Sequence, residues 1–268
     1  MIDLIYWIGV SLAICAGVIN YSGTILQKKV VNELPSELKI MRSLIRNKTW
    51  VFGFLLGFVV SSIFFMIAQL LIGPTLIPGL MNSGLIILAL GSIYILGEDL
   101  QKKEIFGIVV MIIAVFLLGI SRFSINISES NIVEFSFLVR LFIFTFSLLF
   151  FSFLFHLLQR SNKRYRGICL SLFSGNMFAL SNLWVSILIG TIGKVFDGSF
   201  IILELFLFLF STLILITSNI YGVTTIQKAF TISQASNSIL IQQIPIQITP
   251  VFIYFLIFML EPPNYISI

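Results

Sequence analysis

Apolar residues run along most of this chain in long stretches, and polar residues collect in the short gaps between them. A helix needs about 20 mainly apolar residues to cross the hydrocarbon core of a bilayer. Eight stretches reach or nearly reach that length: 4–26, 50–72, 74–96, 105–121, 135–158, 168–190, 200–224 and 234–260. The pattern predicts an all-α, polytopic membrane helix bundle with about eight transmembrane helices.

Composition supports a membrane protein over a soluble one. Of the 268 residues, 58% are hydrophobic and 10% are charged, against roughly 25% charged residues in an ordinary soluble domain. So few charged residues cannot cover the surface of a soluble globule, whereas the 28 phenylalanines can face lipid. The first stretch, 4–26, is too long for the apolar core of a secretory signal, and no basic segment precedes it. It is therefore predicted to be the first membrane helix.

Lysine and arginine are distributed unequally between alternate gaps. Thirteen of the sixteen lie in the gaps after the first, third, fifth and seventh stretches: Lys28, Lys29, Lys39, Arg42, Arg46, Lys48, Lys102, Lys103, Arg160, Lys163, Arg164, Arg166 and Lys228. The other gaps hold only Arg122 and Lys194, and Arg140 lies near the start of the fifth stretch. Because loops rich in Lys and Arg stay in the cytoplasm, the loop 27–49 and its three counterparts are predicted to be cytoplasmic. Both ends of this chain are then expected outside the cell membrane.

Residues that could support catalysis or metal binding are sparse. The chain has one histidine, His156, and two cysteines, Cys15 and Cys169, which lie in apolar stretches and are interpreted as small buried hydrophobes. No hydrolase triad, zinc-protease motif or phosphate loop is found. The protein is therefore predicted not to be an enzyme and to need no cofactor, and no metal ligands are assigned. Proton relays in membranes use buried carboxylates, and the nearest candidate, Glu204, lies only one turn into the seventh stretch.

Uncharged polar residues inside the apolar stretches are the main candidates for function. One face of the sixth stretch carries Ser171, Gly175, Ala179, Asn182 and Ser186, with Asn176 beside it. One face of the eighth stretch carries Gln234, Ser238, Gln242, Pro245 and Thr249, with Gln243 and Gln247 beside it. An amide that faces lipid leaves its hydrogen bonds unmade at substantial cost. These faces must therefore meet other helices or a watery cavity.

Two interpretations of these faces remain open. The amides can form hydrogen bonds between helices, each worth roughly 0.6–2 kcal/mol. Alternatively, they line a substrate pathway near the bilayer midplane, as in transporters with broken helices. The candidate pathway residues lie near the middle of their helices and are Asn82, Asn176, Asn182, Gln242 and Gln243. Gln242 is favoured over Gln243 because it shares a face with Pro245, which cannot donate a helical hydrogen bond.

Small residues predict close packing between the helices. Gly53 and Gly57 form a GxxxG pattern in the second stretch, a spacing that lets two membrane helices approach closely. Ala13 and Gly17 share one face of the first stretch. This pattern indicates a tight bundle and does not by itself indicate transport.

A segment of the first half resembles the drug/metabolite transporter (EamA-like) superfamily. In LIPGLMNSGLIILALGSIYILGEDLQKKEIFGIVVMIIAVFLLGIS, a helix that starts at a proline ends in Gly-Glu, and the helix after the next polar turn ends at a glycine. The residues that carry the match are Pro78, Gly97, Glu98, Gly107 and Gly119. Within the superfamily the arrangement is most similar to the NIPA-type magnesium transporter branch, whose members have nine helices and an N-terminus outside the cell.

The second half of the chain echoes the first. NIYGVTTIQKAF, at 219–230, is similar to NYSGTILQKKV, at 20–30, which pairs Asn219, Gln227 and Lys228 with Asn20, Gln27 and Lys28. The resemblance implies two structural repeats of four helices each, 1–122 and 123–268, that give alternating access to a central site. Two departures are a glutamine where a second-half proline is expected and the lack of a ninth helix before Ile268. A missing final helix is therefore left open.

The sequence thus predicts a transporter of a small polar solute or hydrated cation, with Mg²⁺ as the ion that the resemblance implies. Mg²⁺ prefers carboxylate ligands and sheds water reluctantly, so a neutral or zwitterionic metabolite suits the same amides at least as well. The rival hypothesis is a structural or assembly subunit of a membrane complex, which predicts a packed bundle without a water-sized central void. The expected partners are the solute and the lipid bilayer, without nucleic acid, and a homodimer is left open.

Overall fold

The structure, a computed structural model, describes residues 2–33, 40–73, 76–97, 102–121, 132–161 and 165–260. All regular secondary structure in these ranges is helical, as the apolar pattern predicts. The α-helices are α1 (Ile2–Glu33), α2 (Ile40–Arg46), α3 (Lys48–Phe54), α4 (Ser61–Ile72), α5 (Ile77–Met81), α6 (Leu85–Tyr94), α7 (Lys102–Ser121), α8 (Phe135–Ser161), α9 (Arg166–Phe196), α10 (Ile202–Phe230) and α11 (Ala235–Phe252).

Seven helical segments in the described ranges are long and apolar enough to cross a membrane. They are Leu4–Glu33, Lys48–Ile72, Ile77–Tyr94, Phe135–Arg160, Arg166–Phe196, Ile202–Phe230 and Asn237–Ile257. Seven of the eight predicted spans are thereby confirmed. The remaining one coincides with α7, in which the described residues include the shorter apolar segment Ile105–Ala114.

One end of the bundle collects the last turns of α1 and α10 and the first turns of α3, α9 and α11. We call it the basic end, since most of the Lys and Arg residues lie there in the sequence, and the other the opposite end. Pro74 and Glu98, which bound the third predicted helix, lie outside the described residues, as do Arg122 and Glu261.

Helix α1 is longer than the sequence predicts, and this changes the first basic loop. Its helical hydrogen bonding continues to Glu33 instead of ending at Leu26. Gln27 and Lys28 are therefore helical and buried, at 8% and 4% exposure, and not part of a solvated loop. The prediction that the loop begins at Gln27 is wrong. The ammonium of Lys28 hydrogen-bonds to carbonyls at the end of α10, which makes its burial tolerable.

In the first half of the chain, glycines bring α1 against its neighbours. A Cβ built on Gly23 would lie 2.4 Å from the carbonyl oxygen of Gly53 and 2.6 Å from the Cα of Gly57. A Cβ on Gly84 would lie 2.4 Å from the carbonyl oxygen of Gly17. No side chain fits at these contacts, so the close packing predicted from the small residues is confirmed for Gly53, Gly57 and Gly17.

Two of the membrane helices change their winding part-way along. A π-helical segment, Leu55–Val60, connects α3 to α4, and a 3₁₀ segment, Asn82–Gly84, connects α5 to α6. A second π-helical segment, Ile253–Ile257, follows α11. Pro78 lies in the first turn of α5, where the missing N–H costs nothing.

In the second half, α9 lies at the centre and packs against α8, α10 and α11. Its Trp184 is fully buried, stacks edge-on against Phe142 and Phe210, and donates a 3.2 Å hydrogen bond to Thr145 Oγ1. A separate apolar cluster at the basic end joins the two halves, with Tyr21 and Trp50 on one side and Ile226 and Phe230 on the other. The outward face of α8 carries strongly exposed phenylalanines, as expected for contact with lipid: Phe135, Phe146, Phe150 and Phe153.

Candidate functional site

A cavity of about 260 Å³ lies between α1, the α3–α4 helix, the α5–α6 helix, α9, α10 and α11. One water molecule needs roughly 10–15 Å³, so the space can hold several waters or a small solute. None of the described residues that line it carries a charged side chain. The polar residues that line it are Asn20, Tyr21, Thr24, Gln27, Ser61, Ser62, Asn82, Ser181, Asn182, Asn219, Gln227, Gln242 and Gln243.

Four of the five residues predicted to form a pathway meet at this cavity. Asn82 comes from the 3₁₀ segment, Asn182 from α9, and Gln242 and Gln243 from α11. The fifth, Asn176, is 4% exposed but is not part of the lining. Its Nδ2 has no hydrogen-bond partner within the described residues. The structure therefore brings together four residues that are distant in sequence and separates Asn176 from them.

The face of α11 that meets the cavity differs from the one predicted. A Cβ on Gly175 of α9 would lie 2.3 Å from the carbonyl oxygen of Gln242 and 2.5 Å from Cγ of Pro245. The face that holds Pro245 is thus a packing surface against α9. The cavity face is formed at i, i+3, i+4 and i+7 by Ile239, Gln242, Gln243 and Ile246. Both Gln242 and Gln243 line the cavity, so the preference for Gln242 over Gln243 stays a prediction.

Each of these two glutamines is also held by neighbouring groups. Gln242 Nε2 donates a 2.8 Å hydrogen bond to Ser174 Oγ, which in turn donates to the carbonyl of Gly222 at 2.8 Å. Gln243 Oε1 accepts a 3.0 Å hydrogen bond from Gln247 Nε2, which also donates to the carbonyl of Pro78 at 2.8 Å. These bonds fix the orientation of both amide groups. They link α11 to α9 and to α5.

Four amide residues of the cavity were not among the predicted pathway residues: Asn20, Gln27, Asn219 and Gln227. All four belong to the repeated segment NYSGTILQKKV and NIYGVTTIQKAF. The duplication was therefore the signal in the sequence that pointed to them. Both copies end at the same end of the bundle, so the repeated glutamines can meet although they are 200 positions apart.

The glutamines close the basic end of the cavity. Gln227 Nε2 donates a 2.6 Å hydrogen bond to Gln27 Oε1, and Gln227 Oε1 accepts one of 3.5 Å from Trp50 Nε1. Gln27 Nε2 donates to the carbonyl of Gly53 at 3.4 Å. A continuous set of hydrogen bonds therefore runs from α3 through α1 to α10, and it joins the two halves.

Lys28 adds a second link at this end. Its Nζ donates to the carbonyls of Phe230, at 2.5 Å, and Ser233, at 3.0 Å, and lies 5.6 Å from the centroid of the Phe230 ring. These carbonyls belong to the C-terminal end of α10, where the helix dipole favours a cation. The buried ammonium is thus stabilised by the end of a helix from the other half.

The link between the halves at the opposite end involves fewer groups. Gln69 is 2% exposed, and its Nε2 donates a 3.1 Å hydrogen bond to Ser186 Oγ of α9. Gln69 Oε1 has no partner within the described residues.

Glu204 does not line the cavity: its carboxylate pairs with Lys194 at 2.6 Å and accepts from the backbone N–H of Ile201 at 3.0 Å. It serves as a cap for α10.

The described residues contain no group of three or more His, Cys, Asp or Glu side chains able to hold a metal ion. No protein-family model, curated protein or solved structure matches this chain. The fold and the site therefore define the class. The chain is a multi-pass α-helical membrane protein with an uncharged polar cavity between its two halves.

Proposed function

We propose that this protein is a transporter that moves a small polar solute through the central cavity by alternating access. The observation that carries the proposal is the cavity itself. It is large enough for a solute, and it is lined by amides and hydroxyls from six helical segments of both halves. Sites near the interface of two halves are typical of secondary transporters.

The contacts at the two ends of the cavity support this mechanism. At the basic end the halves are joined through Gln27, Lys28 and Gln227, and at the opposite end through Gln69 and Ser186. The hydrogen bonds between neutral groups each have a modest net free energy of about 0.5–1.5 kcal/mol, and those of the Lys28 ammonium about 1.5–3 kcal/mol. At the basic end the apolar cluster around Trp50 and Phe230 adds to them. One set can therefore break while the other persists, as alternating access requires.

The resemblance to the drug/metabolite transporter superfamily and its NIPA-type branch is part of the proposal. The proposal also includes the orientation, with the basic end in the cytoplasm of the cell and the N-terminus outside. Mg²⁺, which the NIPA resemblance implies, would have to cross largely hydrated, because amide and hydroxyl oxygens replace its water poorly. An uncharged or singly charged organic solute fits the lining better.

The rival function is a structural subunit whose amides only hold helices together. Several of the polar groups do so, including Asn219 Nδ2, which donates to Ser181 Oγ at 2.8 Å, and Gln242 through Ser174. The cavity separates the two hypotheses, because a purely structural bundle has no need of a void of about 260 Å³. Packing voids destabilise a core.

The test is transport by the purified protein in liposomes, with labelled polar metabolites and Mg²⁺ offered separately. Asn182→Phe, which fills the cavity, should abolish uptake without loss of folding, because the Asn182 side chain makes no hydrogen bond within the described chain. Thr217→Phe on the exposed face of α10 is the matched control and should transport normally. Equal uptake by both variants would show that solute does not pass through this cavity.

A further inference from the structure

The amides that line the cavity have orientations fixed by backbone carbonyls. Asn20 Nδ2 lies 2.8 Å from the carbonyl of Gly57, and Asn219 Nδ2 lies 2.8 Å from that of Leu215. A backbone carbonyl can only accept, so the group facing it must be the NH₂ of the amide. The amide oxygen of each asparagine is then left for other partners.

Gln242 is fixed in the same way through a hydroxyl. Ser174 Oγ gives its only proton to the carbonyl of Gly222, so it can only accept from Gln242, whose Nε2 lies 2.8 Å away. Gln242 Oε1 remains unused. None of the described residues donates a hydrogen bond to Gln242 Oε1, Asn20 Oδ1 or Asn219 Oδ1. Each of these three oxygen atoms is accessible to solvent.

Three of the hydroxyls that line the cavity also offer lone pairs and not protons, whereas Ser181 accepts from Asn219 and keeps its own proton for other partners. Ser61 donates to the carbonyl of Ala16 at 2.9 Å, and Thr24 donates to that of Asn20 at 3.1 Å. Ser62 donates to the carbonyl of Phe58. With their protons committed, these oxygens face a bound solute as acceptors.

Donors with a fixed direction are fewer. Gln243 has its oxygen engaged by Gln247, so its NH₂ group is free, while Gln27 and Gln227 satisfy each other. The amides of Asn82 and Asn182 are not fixed by any carbonyl. Tyr21 Oη lies 3.4 Å from Asn82 Oδ1 and can donate or accept. Among the groups with a fixed direction, the free acceptors are the amide oxygens of Asn20, Asn219 and Gln242 and the hydroxyl oxygens of Ser61, Ser62 and Thr24. The free donors are the NH₂ group of Gln243 and the second N–H of Asn20 and of Gln242, so acceptors are the larger set.

Aromatic rings complete the wall of the cavity. Phe54 and Phe58 stack along the α3–α4 helix with 5.1 Å between ring centroids, and Phe54 stacks on Trp50 at 5.3 Å. The other aromatic residues of the lining are Tyr21, Phe65, Phe178 and Phe230. The faces of such rings attract cations, and aromatic cages bind organic ammonium groups. Phe54 is stacked between Trp50 and Phe58, and the Phe230 ring already meets Lys28, so the rings left for a solute are those of Tyr21, Phe58, Phe65 and Phe178.

From this polarity we propose that the cavity recognises an organic ammonium group, such as the protonated amine of a small solute. The inference rests on the proposed function and names its substrate class. Amide oxygens and hydroxyl lone pairs accept the N–H groups of the ammonium, and aromatic faces hold its carbon skeleton. Inorganic cations also bind carbonyl oxygens, but a space of about 260 Å³ with aromatic walls suits a larger organic ion.

Binding to the purified full chain in detergent tests this without requiring transport. The probes are benzylammonium, benzyl alcohol and benzoate, which share a ring and differ in charge, and binding is followed by melting temperature and tryptophan fluorescence. We expect benzylammonium to bind roughly tenfold or more tightly than the other two, because hydrogen bonds to a charged group are the stronger ones. Equal or tighter binding of the alcohol or of benzoate, or no binding of benzylammonium, would overturn the assignment.

Potassium chloride and magnesium chloride serve as competitors in the same assay. Neither should displace benzylammonium at concentrations near its dissociation constant. If either salt displaces benzylammonium at a concentration below the dissociation constant of benzylammonium, the cavity is selective for inorganic ions. The proposed substrate class is then wrong.

Two variants sharpen the test. Gln242→Leu removes a free acceptor from the cavity and should weaken benzylammonium binding by roughly tenfold or more, whereas Thr217→Leu on the exposed face of α10 should change it by less than about twofold. The reverse order would overturn the inference. If Gln242→Leu does not fold, the selectivity of the unmodified protein decides the matter alone. A protein that binds the amine but transports nothing in liposomes would refute the proposed function and leave this inference intact.

Discussion

The two halves of the molecule hold their helices together by different means. In the first half, backbone meets backbone, as at Gly23 against Gly53 and Gly57. In the second half, large side chains fill the space between helices, and the ring of Trp184 lies 5.1 Å from that of Phe210. Inside lipid there is no hydrophobic driving force between helices, so their association depends on close van der Waals packing. Both kinds of contact supply that packing.

The halves also differ in the regularity of the helices beside the cavity. The first half contributes a π-helical segment, Leu55–Val60, and a 3₁₀ segment, Asn82–Gly84. In the second half, α9 and α10 run for 31 and 29 residues without a break, and α11 stays α-helical beside the cavity before it passes into the π-helical segment Ile253–Ile257. Interruptions of this kind often mark hinges and functional sites. We therefore expect the first half to change shape during transport while the second half supports it.

The largest effect should come from the glycine contacts of the first half. Gly23→Leu is expected to prevent stable folding, because any Cβ would lie within 2.6 Å of atoms of Gly53 and Gly57. The two backbones would have to move apart to remove this clash, and overpacking of this kind typically lowers stability by about 1–3 kcal/mol or more. Size-exclusion profile and melting temperature measure the effect. Gly107→Leu, which meets no atom within 4 Å, is the control and should behave like the parent. A stable Gly23→Leu protein would show that backbone contact does not hold this half together.

The corresponding change in the second half removes a side chain. Trp184→Ala should lower the free energy of unfolding by about 3–5 kcal/mol, because it leaves a cavity in a fully packed core. Thr145→Val is the companion variant, since it keeps the packing and removes only the hydrogen bond to the indole, worth about 1 kcal/mol. Denaturant or thermal unfolding distinguishes them. Similar losses for both variants would mean that the hydrogen bond, and not the ring packing, dominates.

A paired change should separate the two ends of the cavity. Gln227→Leu removes the hydrogen bonds at the basic end, and Gln69→Leu removes the one at the opposite end, each bond being worth about 0.5–1.5 kcal/mol. A cysteine at Ser62, in a protein without its native cysteines, reports access to the cavity. Gln227→Leu should raise its reaction with impermeant thiol reagents from the basic end, and Gln69→Leu from the other. Identical labelling from both sides in both variants would argue against these bonds as gates.

The smallest perturbation tests orientation. Single cysteines replacing Lys48 at the basic end and Ser199 at the opposite end lie at exposed positions and should leave stability unchanged. In intact cells, Ser199→Cys should react with an impermeant thiol reagent and Lys48→Cys should not, because the basic end is expected in the cytoplasm. The opposite labelling pattern would reverse the proposed topology.

The sequence by itself determined the helical membrane fold. Long apolar stretches have no alternative to helices in lipid, where every backbone group must find an internal partner. It also indicated the tight packing at Gly53 and Gly57, since small residues act through local geometry. The many amide side chains of α11 can be read directly from the sequence, and they indicate a polar site within the bundle.

Only the tertiary structure decided which polar groups face the cavity. An amide inside a helix can satisfy its hydrogen bonds on a neighbouring helix or in a watery space, and its own sequence does not say which. The face of Pro245 packs on α9, and Asn176 is buried away from the cavity lining, whereas Gln243, Asn20 and Asn219 reach the cavity. The extension of α1 through Lys28 likewise depends on carbonyls more than 200 positions away. Such pairings arise from packing between the halves, and local sequence patterns do not carry them.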